Sequence, residues 1–283
     1  MEPGYALQTD IPMLREIWLQ CFGGPEQYLD FYYENRFSPR ETLVIREGGR
    51  PVAMMTMMNV SIDGVKGCYV YAVATLPWFQ GMGLQRKLDA FALQEMKKRG
   101  AAFSCLVPAE PGLFELYRKL GYENGFDRWE KRIPVEDLGP SGDAISFRRC
   151  SYTRFQALRR AYLVGLPHGV HHPDRSLRYI YRELEGFQGG VASFEEDGSP
   201  CYAAYSLSGD GELYVREQTG SDPERTARCL LSAVGEKVDR LLVTGAAPFP
   251  GAVRKPFGMI RFLKERLWEP AEENAYMALM LDG

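Results

Sequence analysis

The sequence predicts an α+β chain, a mixed α/β fold in which two halves repeat one plan: a mostly antiparallel central sheet flanked by helices. Three observations carry that reading. Runs rich in β-branched and aromatic residues at 42–46, 51–60 and 67–75 are separated by the turns Glu47-Gly48-Gly49-Arg50 and Asp63-Gly64, as in antiparallel hairpins. The third run passes through Gly81 and Gly83 into a helix with the apolar stripe Leu84, Leu88, Phe91, Ala92 and Met96. Beyond residue 143 the same order of helices, strands and a further helix begins again.

Each element has a local reason. Residues 1–9 read as a first strand, and Asp10 caps a helix to Phe22 with Pro12 in its first turn, where proline is tolerated. Gly23-Gly24-Pro25 breaks it, and a second helix follows over 26–36. After the glycine-turn helix, closed by Gly100, come a strand at 102–107, a short helix at 112–120 and a final strand pair at 124–134. Residues 1–135 are thus expected as one domain, 136–143 as a linker carrying Gly139-Pro140-Ser141-Gly142, and 144–283 as a second domain. In the second half, 153–163 and 175–184 read as helices, and 190–195, 201–207 and 212–219 as strands. Asp222-Pro223 opens a helix with the apolar face Ala227, Leu230, Leu231, Val234 and Val238, and strands are expected at 240–244 and 276–281.

Composition narrows the function. A chain of 283 residues with 45% hydrophobic and 25% charged residues is ordinary for a globular protein. A net charge of −3 without a long basic run argues against nucleic acid as a partner. No apolar run reaches membrane-spanning length and no signal peptide is visible, so no membrane partner is expected. Six scattered cysteines without a C-x-x-C pair fit reduced thiols in a cytoplasmic protein. Self-association into a homo-oligomer is left open.

The strand–turn–helix at 67–98 is the chemically informative stretch. Glycines at 81 and 83 let backbone N–H groups converge at a helix start, whose unpaired N–H groups and partial positive charge suit a phosphate or pyrophosphate. Two phosphate-loop patterns are excluded. The P-loop Gly-Lys-Ser/Thr is absent, and Gly81-Met82-Gly83 is followed by Leu84-Gln85-Arg86, which breaks G-x-G-x-x-G.

Gln80-Gly81-Met82-Gly83-Leu84 resembles the acyl-CoA pyrophosphate loop Q/R-x-x-G-x-G/A of the GNAT (GCN5-related) N-acetyltransferases, with Gln85 where the family usually has Gly or Ala. Leu116-Tyr117-Arg118-Lys119-Leu120-Gly121-Tyr122 resembles that family's Tyr-x-x-x-Gly-Phe/Tyr element. Val73-Ala74-Thr75-Leu76-Pro77 is most similar to the enhanced-intracellular-survival type, of which this would be a shorter tandem chain. The resemblance implies acetyl-CoA as cosubstrate, no metal, and direct attack by a primary amine of a small molecule in a ternary complex. It implies that Val73, Ala74 and Thr75 contact pantetheine and supply an oxyanion N–H, and that Gln80, Gly81, Met82, Gly83 and Leu84 hold the pyrophosphate. It implies Tyr117 as general acid, although spacing alone, with Leu113, Leu116 and Leu120 on the core face and Tyr117 beside it, favours a packed tyrosine. It also implies a tandem of two such domains, the second degenerate, because Asp222 places a carboxylate where a phosphate would sit. A rival reading is a non-catalytic acyl-CoA-binding sensor or interaction module on the same fold, favoured by Gln85.

The resemblance implies that the acceptor lies under the first two helices, where Trp18, Phe22, Tyr28, Phe31, Tyr32, Tyr33 and Phe37 gather. Aromatics and carboxylates suit a cationic amine, yet Glu26, Asp30 and Glu34 at fourfold spacing read as a solvated helix face. His168, His171 and His172 read as a surface loop rather than a metal site, and Cys105 as a small buried hydrophobe.

Overall fold

The computed structural model describes residues 1–139, 144–187, 189–235 and 237–281. Residues 140–143 of the expected linker lie outside the described residues. The first half runs β1 (Pro3–Tyr5), α1 (Ile11–Cys21), α2 (Glu26–Asn35), β2 (Thr42–Glu47), β3 (Arg50–Ile62), β4 (Val65–Thr75), α3 (Leu84–Lys98), β5 (Phe103–Leu106), α4 (Leu113–Lys119) and β6 (Glu123–Pro134). The second runs β7 (Arg148–Arg149), α5 (Tyr152–Val164), α6 (Asp174–Gly186), β8 (Gly189–Glu196), β9 (Ser199–Leu207), β10 (Glu212–Gln218), α7 (Pro223–Val234), β11 (Arg240–Gly245) and β12 (Val253–Phe262). The mixed α/β plan read from the sequence is therefore the one observed.

All these strands join one sheet in the order β1-β2-β3-β4-β5-β12-β6-β11-β10-β9-β8-β7. Both ends are antiparallel meanders, and each half holds one parallel pair bridged by a helix: β4 with β5 across α3, and β10 with β11 across α7. The centre is exchanged. β12 of the second half pairs with β5 of the first, and β6 of the first pairs with β11 of the second. β6 and β12 also pair with each other, so the two halves share a sheet. The largest core cluster accordingly mixes residues of both, from Leu14 and Trp18 to Tyr179, Met259 and Met280.

Four expectations are corrected. Residues 124–134 form a single strand, not a pair. The partner that the first half needed is β12, which the sequence reading missed because Val253–Pro256 are exposed and only Phe257–Ile260 are buried, without alternation. Residues 276–281 are not a strand; 276–280 are buried, enclosed by loops and side chains rather than sheet-paired. Tyr276 N–H bonds Pro167 O, Val170 N–H bonds Tyr276 O, and Arg159 and Arg216 donate to the carbonyls of Ala278 and Met280. Helix α7 stops at Val234 because Gly235 turns left-handed (φ +68°), leaving Val238 outside it.

Candidate active site

Strand β4 makes its last pair with β5 at Tyr69 opposite Cys105. Residues 70–75 continue past that point, so the two parallel strands part and leave β4 an open edge. Here β4 carries a bulge. Met54 faces Ala74 and Thr56 faces Tyr71, so Ala72 and Val73 together oppose Met55. Ala72 takes φ +50°, a conformation that costs a residue with a Cβ about 1–2 kcal/mol and persists only where the surroundings impose it.

The turn that follows is held by Thr75, whose carbonyl accepts from Gln80 Nε2 at 3.1 Å and from Cys21 Sγ at 3.3 Å. Gly81 (φ +75°) and Gly83 (φ +72°) are both left-handed, and a Cβ on either would meet nothing within 4 Å. Their role is to bend the chain and bare its backbone. No side chain caps α3, and its first internal bond is Lys87 N–H to Gly83 O, so the N–H groups of Leu84, Gln85 and Arg86 are left for a ligand or water. The Arg86 and Lys87 side chains are exposed and make no ion pair among the described residues. Gln80 spends its side chain inside the loop, Met82 turns its side chain to solvent and Leu84 buries its own, so these positions offer backbone groups.

On α4 the tyrosine is packed, as spacing favours, but Leu116 leaves the expected core face. Tyr117 is the buried residue and Leu116 is 37% exposed. The reason is local: Tyr117 O accepts the N–H of Tyr122, and the two rings pack edge to face at 5.8 Å. Tyr122 in turn shares a hydrogen bond with Ser104 Oγ at 2.7 Å. The second half reaches this layer through β12. Arg261 Nη1 donates to Asp89 on α3 at 3.0 Å, and its guanidinium stands 5.8 Å from the Tyr122 ring centre. Burial lifts the Asp89 carboxyl above its ordinary value, an effect that Arg261 opposes but does not cancel.

On the acceptor side the expected aromatics do gather: Trp18 packs on Tyr28, Tyr32 and Tyr71, at 6.1, 5.1 and 5.7 Å. Glu26, Asp30 and Glu34 all face solvent, and Asp30 pairs with Arg15 at 2.6 Å. Glu183 of α6, half-buried, is the carboxylate whose charge acts on Tyr28, and burial lifts it above its ordinary value against the pull of Arg216 on β10. Phe187, at the end of α6, adds a ring 5.7 Å from Tyr28. Nothing in the local sequence signals these residues, which the fold alone brings across from the second half.

The corresponding cleft of the second half is filled. Glu217 on β10, fully buried, accepts from Arg159 Nε at 2.8 Å, Tyr202 Oη at 2.6 Å and Tyr276 Oη at 3.1 Å. Residues 276–280 complete the plug and leave a cavity of about 10 Å³ beside them, room for one water at most. Asp222 caps α7, accepting from Arg225 N–H at 2.9 Å, as its sequence position predicts. All six cysteines are free, and Cys105 is buried. No described helix is long and apolar enough to cross a membrane.

The three histidines diverge. His172 is half-buried with its Nε2 enclosed, and desolvation together with Arg159 holds its ring down to about 3. His168 stacks on Trp268 at 4.6 Å and sits between Asp63 and Glu273, the latter at 3.0 Å. Partial burial disfavours its charge, but the two carboxylates outweigh it and raise its pKa above the ordinary value. A His raised in the folded state adds stability that is complete below its unfolded pKa and is lost as pH rises through the folded one. Thermal unfolding of the wild type is thus expected to weaken from pH 6 to pH 8 by more than that of His168→Gln. Equal changes in the two proteins would show that this triad carries no charge-linked stability.

Against this geometry, comparison with known proteins is informative. A model of the acetyltransferase (GNAT) domain matches residues 5–125. Among solved structures, a GCN5-related N-acetyltransferase from Anabaena variabilis is similar over 93% of this chain and 73% of its own, at 17% identity and a TM-score of 0.73. One from Kribbella flavida is similar over 92% and 70%, at 21% identity and 0.67. Eis1 from Mycobacterium abscessus is similar over 93% and 74%, at 12% identity and 0.65. At such identities these likenesses speak for the fold, which extends through both halves. No curated protein matches the sequence. Residues 5–125 are thus similar to a GNAT acetyltransferase domain.

Proposed function

We propose that this protein is an acetyl-CoA-dependent N-acetyltransferase acting on a primary amine of a small molecule in a ternary complex. The observation that carries it is the parting of β4 from β5 at the Ala72 bulge, followed directly by an uncapped helix N-terminus. In this reading residues 1–135 hold the cosubstrate and residues 144–283 complete the acceptor side.

The backbone of Val73, Ala74 and Thr75 lines the thioester arm, and an N–H on the open edge of β4 stabilises the developing oxyanion. Backbone groups of Gln80, Gly81, Met82, Gly83 and Leu84 take the pyrophosphate at the start of α3, with Arg86 and Lys87 adding positive charge. Tyr117 donates a proton to the departing sulfur, since a phenol stays protonated at neutral pH. Oriented attack by a bound amine needs no covalent enzyme intermediate.

Titration calorimetry of the protein with acetyl-CoA tests the cofactor half of the proposal. Gly83→Asp puts a carboxylate at the start of α3, beside the free N–H groups of Leu84, Gln85 and Arg86. Aspartate is among the residues that best tolerate positive φ, so the turn survives. The variant is expected to bind acetyl-CoA at least about tenfold more weakly, because the new anion occupies and repels the pyrophosphate position. Equal affinity in both proteins would move the cosubstrate away from this turn.

A further inference from the structure

The strand that closes the gap between β5 and β6 comes from the second half, and it carries a cation into the layer behind α4. β12 pairs with β5 at Arg261 opposite Ser104, and with β6 at Ile260 opposite Glu123. Cross-strand partners share a face of the sheet, so Arg261 and Ser104 stand side by side. Ser104 Oγ shares a hydrogen bond with Tyr122 Oη at 2.7 Å, and the Arg261 guanidinium stands 5.8 Å from the centre of the same ring. Its other end reaches α3, where Nη1 donates to the buried Asp89 carboxylate at 3.0 Å. Between the two it runs past Gly121 (φ +86°), where a Cβ would lie 3.4 Å from Arg261 Nε.

These contacts converge on the last turn of α4. Tyr122 N–H bonds Tyr117 O, Gly121 N–H bonds Arg118 O, and the Tyr122 ring packs edge to face on Tyr117 at 5.8 Å. Helix α4 is seven residues long and has no side-chain cap, so little within the helix fixes its direction. The turn at its C-terminal end and the ring behind Tyr117 hold it instead. A cation at that end also complements the partial negative charge of the helix terminus.

We propose that Arg261, supplied by the second half, is a positioning residue of the acetyl-transfer site: by joining Asp89 on α3 to Tyr122, it fixes the direction in which Tyr117 meets the departing sulfur. The inference rests on the acetyltransferase reading with Tyr117 as its acid. It gives residues 144–283 a second task, because the cosubstrate half is incomplete without β12. Arg261 acts through Tyr122 and Tyr117, not on the reacting atoms. Geometry of this kind matters steeply, since a displacement of about 1 Å costs on the order of 10²-fold in rate. The planar guanidinium suits the task, pairing with a carboxylate while lying against a ring, whereas lysine offers a charge without a plane.

The test uses the full chain, acetyl-CoA, and spermidine, 1,4-diaminobutane and tyramine as amine probes, with CoA release followed at pH 7 and acetyl-CoA binding measured by calorimetry. Arg261→Met combined with Asp89→Leu replaces the pair by apolar side chains and leaves no lone buried carboxylate. This double variant is expected to bind acetyl-CoA within about threefold of the wild type, and to lose kcat by at least about tenfold. A merely structural role would lower kcat by the same factor whether or not Tyr117 has its hydroxyl. A positioning role would not: added to Tyr117→Phe, the two substitutions should change kcat by less than about twofold. Arg254→Gln, which removes an ion pair with Asp127 at the other end of β12, should behave as wild type. Should the double variant not fold, Arg261→Lys is read in the same two backgrounds, since it keeps a charge beside Asp89 and withdraws the plane from Tyr122. Wild-type kcat in the variant so read, or an undiminished loss on top of Tyr117→Phe, would overturn the positioning role and leave acetyl transfer standing. Wild-type kcat in Tyr117→Phe alone would remove the acid, and Arg261 with it. If the wild type acetylates none of the three amines, the acetyl-transfer reading falls, and the positioning role with it.

Discussion

Tyr117→Phe is expected to lower turnover by roughly 10²–10⁴-fold, the range in which a positioned general acid contributes, while acetyl-CoA binds as before. The substitution removes one hydroxyl and keeps the ring. Tyr117 is held by its edge-to-face contact with Tyr122 and by the backbone bond from Tyr122 N–H, and phenylalanine retains both. Tyr122 is anchored separately to Ser104, so the layer beneath stays in place. A thiolate leaving group is protonated readily by a phenol of pKa near 10, and its loss should be felt most with poorly nucleophilic amines. Steady-state kinetics beside calorimetry separate the outcomes. Unchanged kcat with spermidine would remove Tyr117 from the chemistry, and loss of acetyl-CoA affinity would make it a binding residue instead.

The largest effect on stability is expected at Arg159. Its guanidinium and the Glu217 carboxylate form an ion pair with both side chains almost fully buried. Glu217 also accepts from Tyr202 and Tyr276, and Arg159 donates to Ala278 O, so the pair anchors the C-terminal segment within the second half. Arg159→Leu leaves a buried carboxylate uncompensated, which costs about 3–5 kcal/mol. Against a total stability of about 5–15 kcal/mol, that is enough to depopulate the fold at moderate temperature. Replacing both partners, Arg159→Leu with Glu217→Met, should recover much of the loss, because an apolar pair needs no counter-charge. Urea unfolding at pH 7 measures both. A loss below about 1 kcal/mol in the single variant would mean that Glu217 is satisfied by its tyrosines alone.

Much of the fold was legible because its signals are local. Leu84, Leu88, Ala92 and Met96 all fall on the buried face of α3. The cap at Asp222 was equally readable, since an N-cap needs only the residues beside it. Where the reading failed, the determinants were distant. β12 has no apolar alternation of its own, and its partners β5 and β6 lie more than a hundred residues away.

The sequence by itself determined the strand–turn–helix with Gly81 and Gly83, the repeated order of elements, and the solvated acids of α2. These follow from backbone conformation and side-chain periodicity within a few residues. Only the tertiary structure decided that the halves exchange β6 and β12, that Arg261 supports the first half from the second, and that Phe187 packs into the aromatic cluster of the first. Those placements depend on which strand edges remain unpaired once each half has formed. Strand pairing between residues more than a hundred positions apart leaves no mark on the local pattern of either partner.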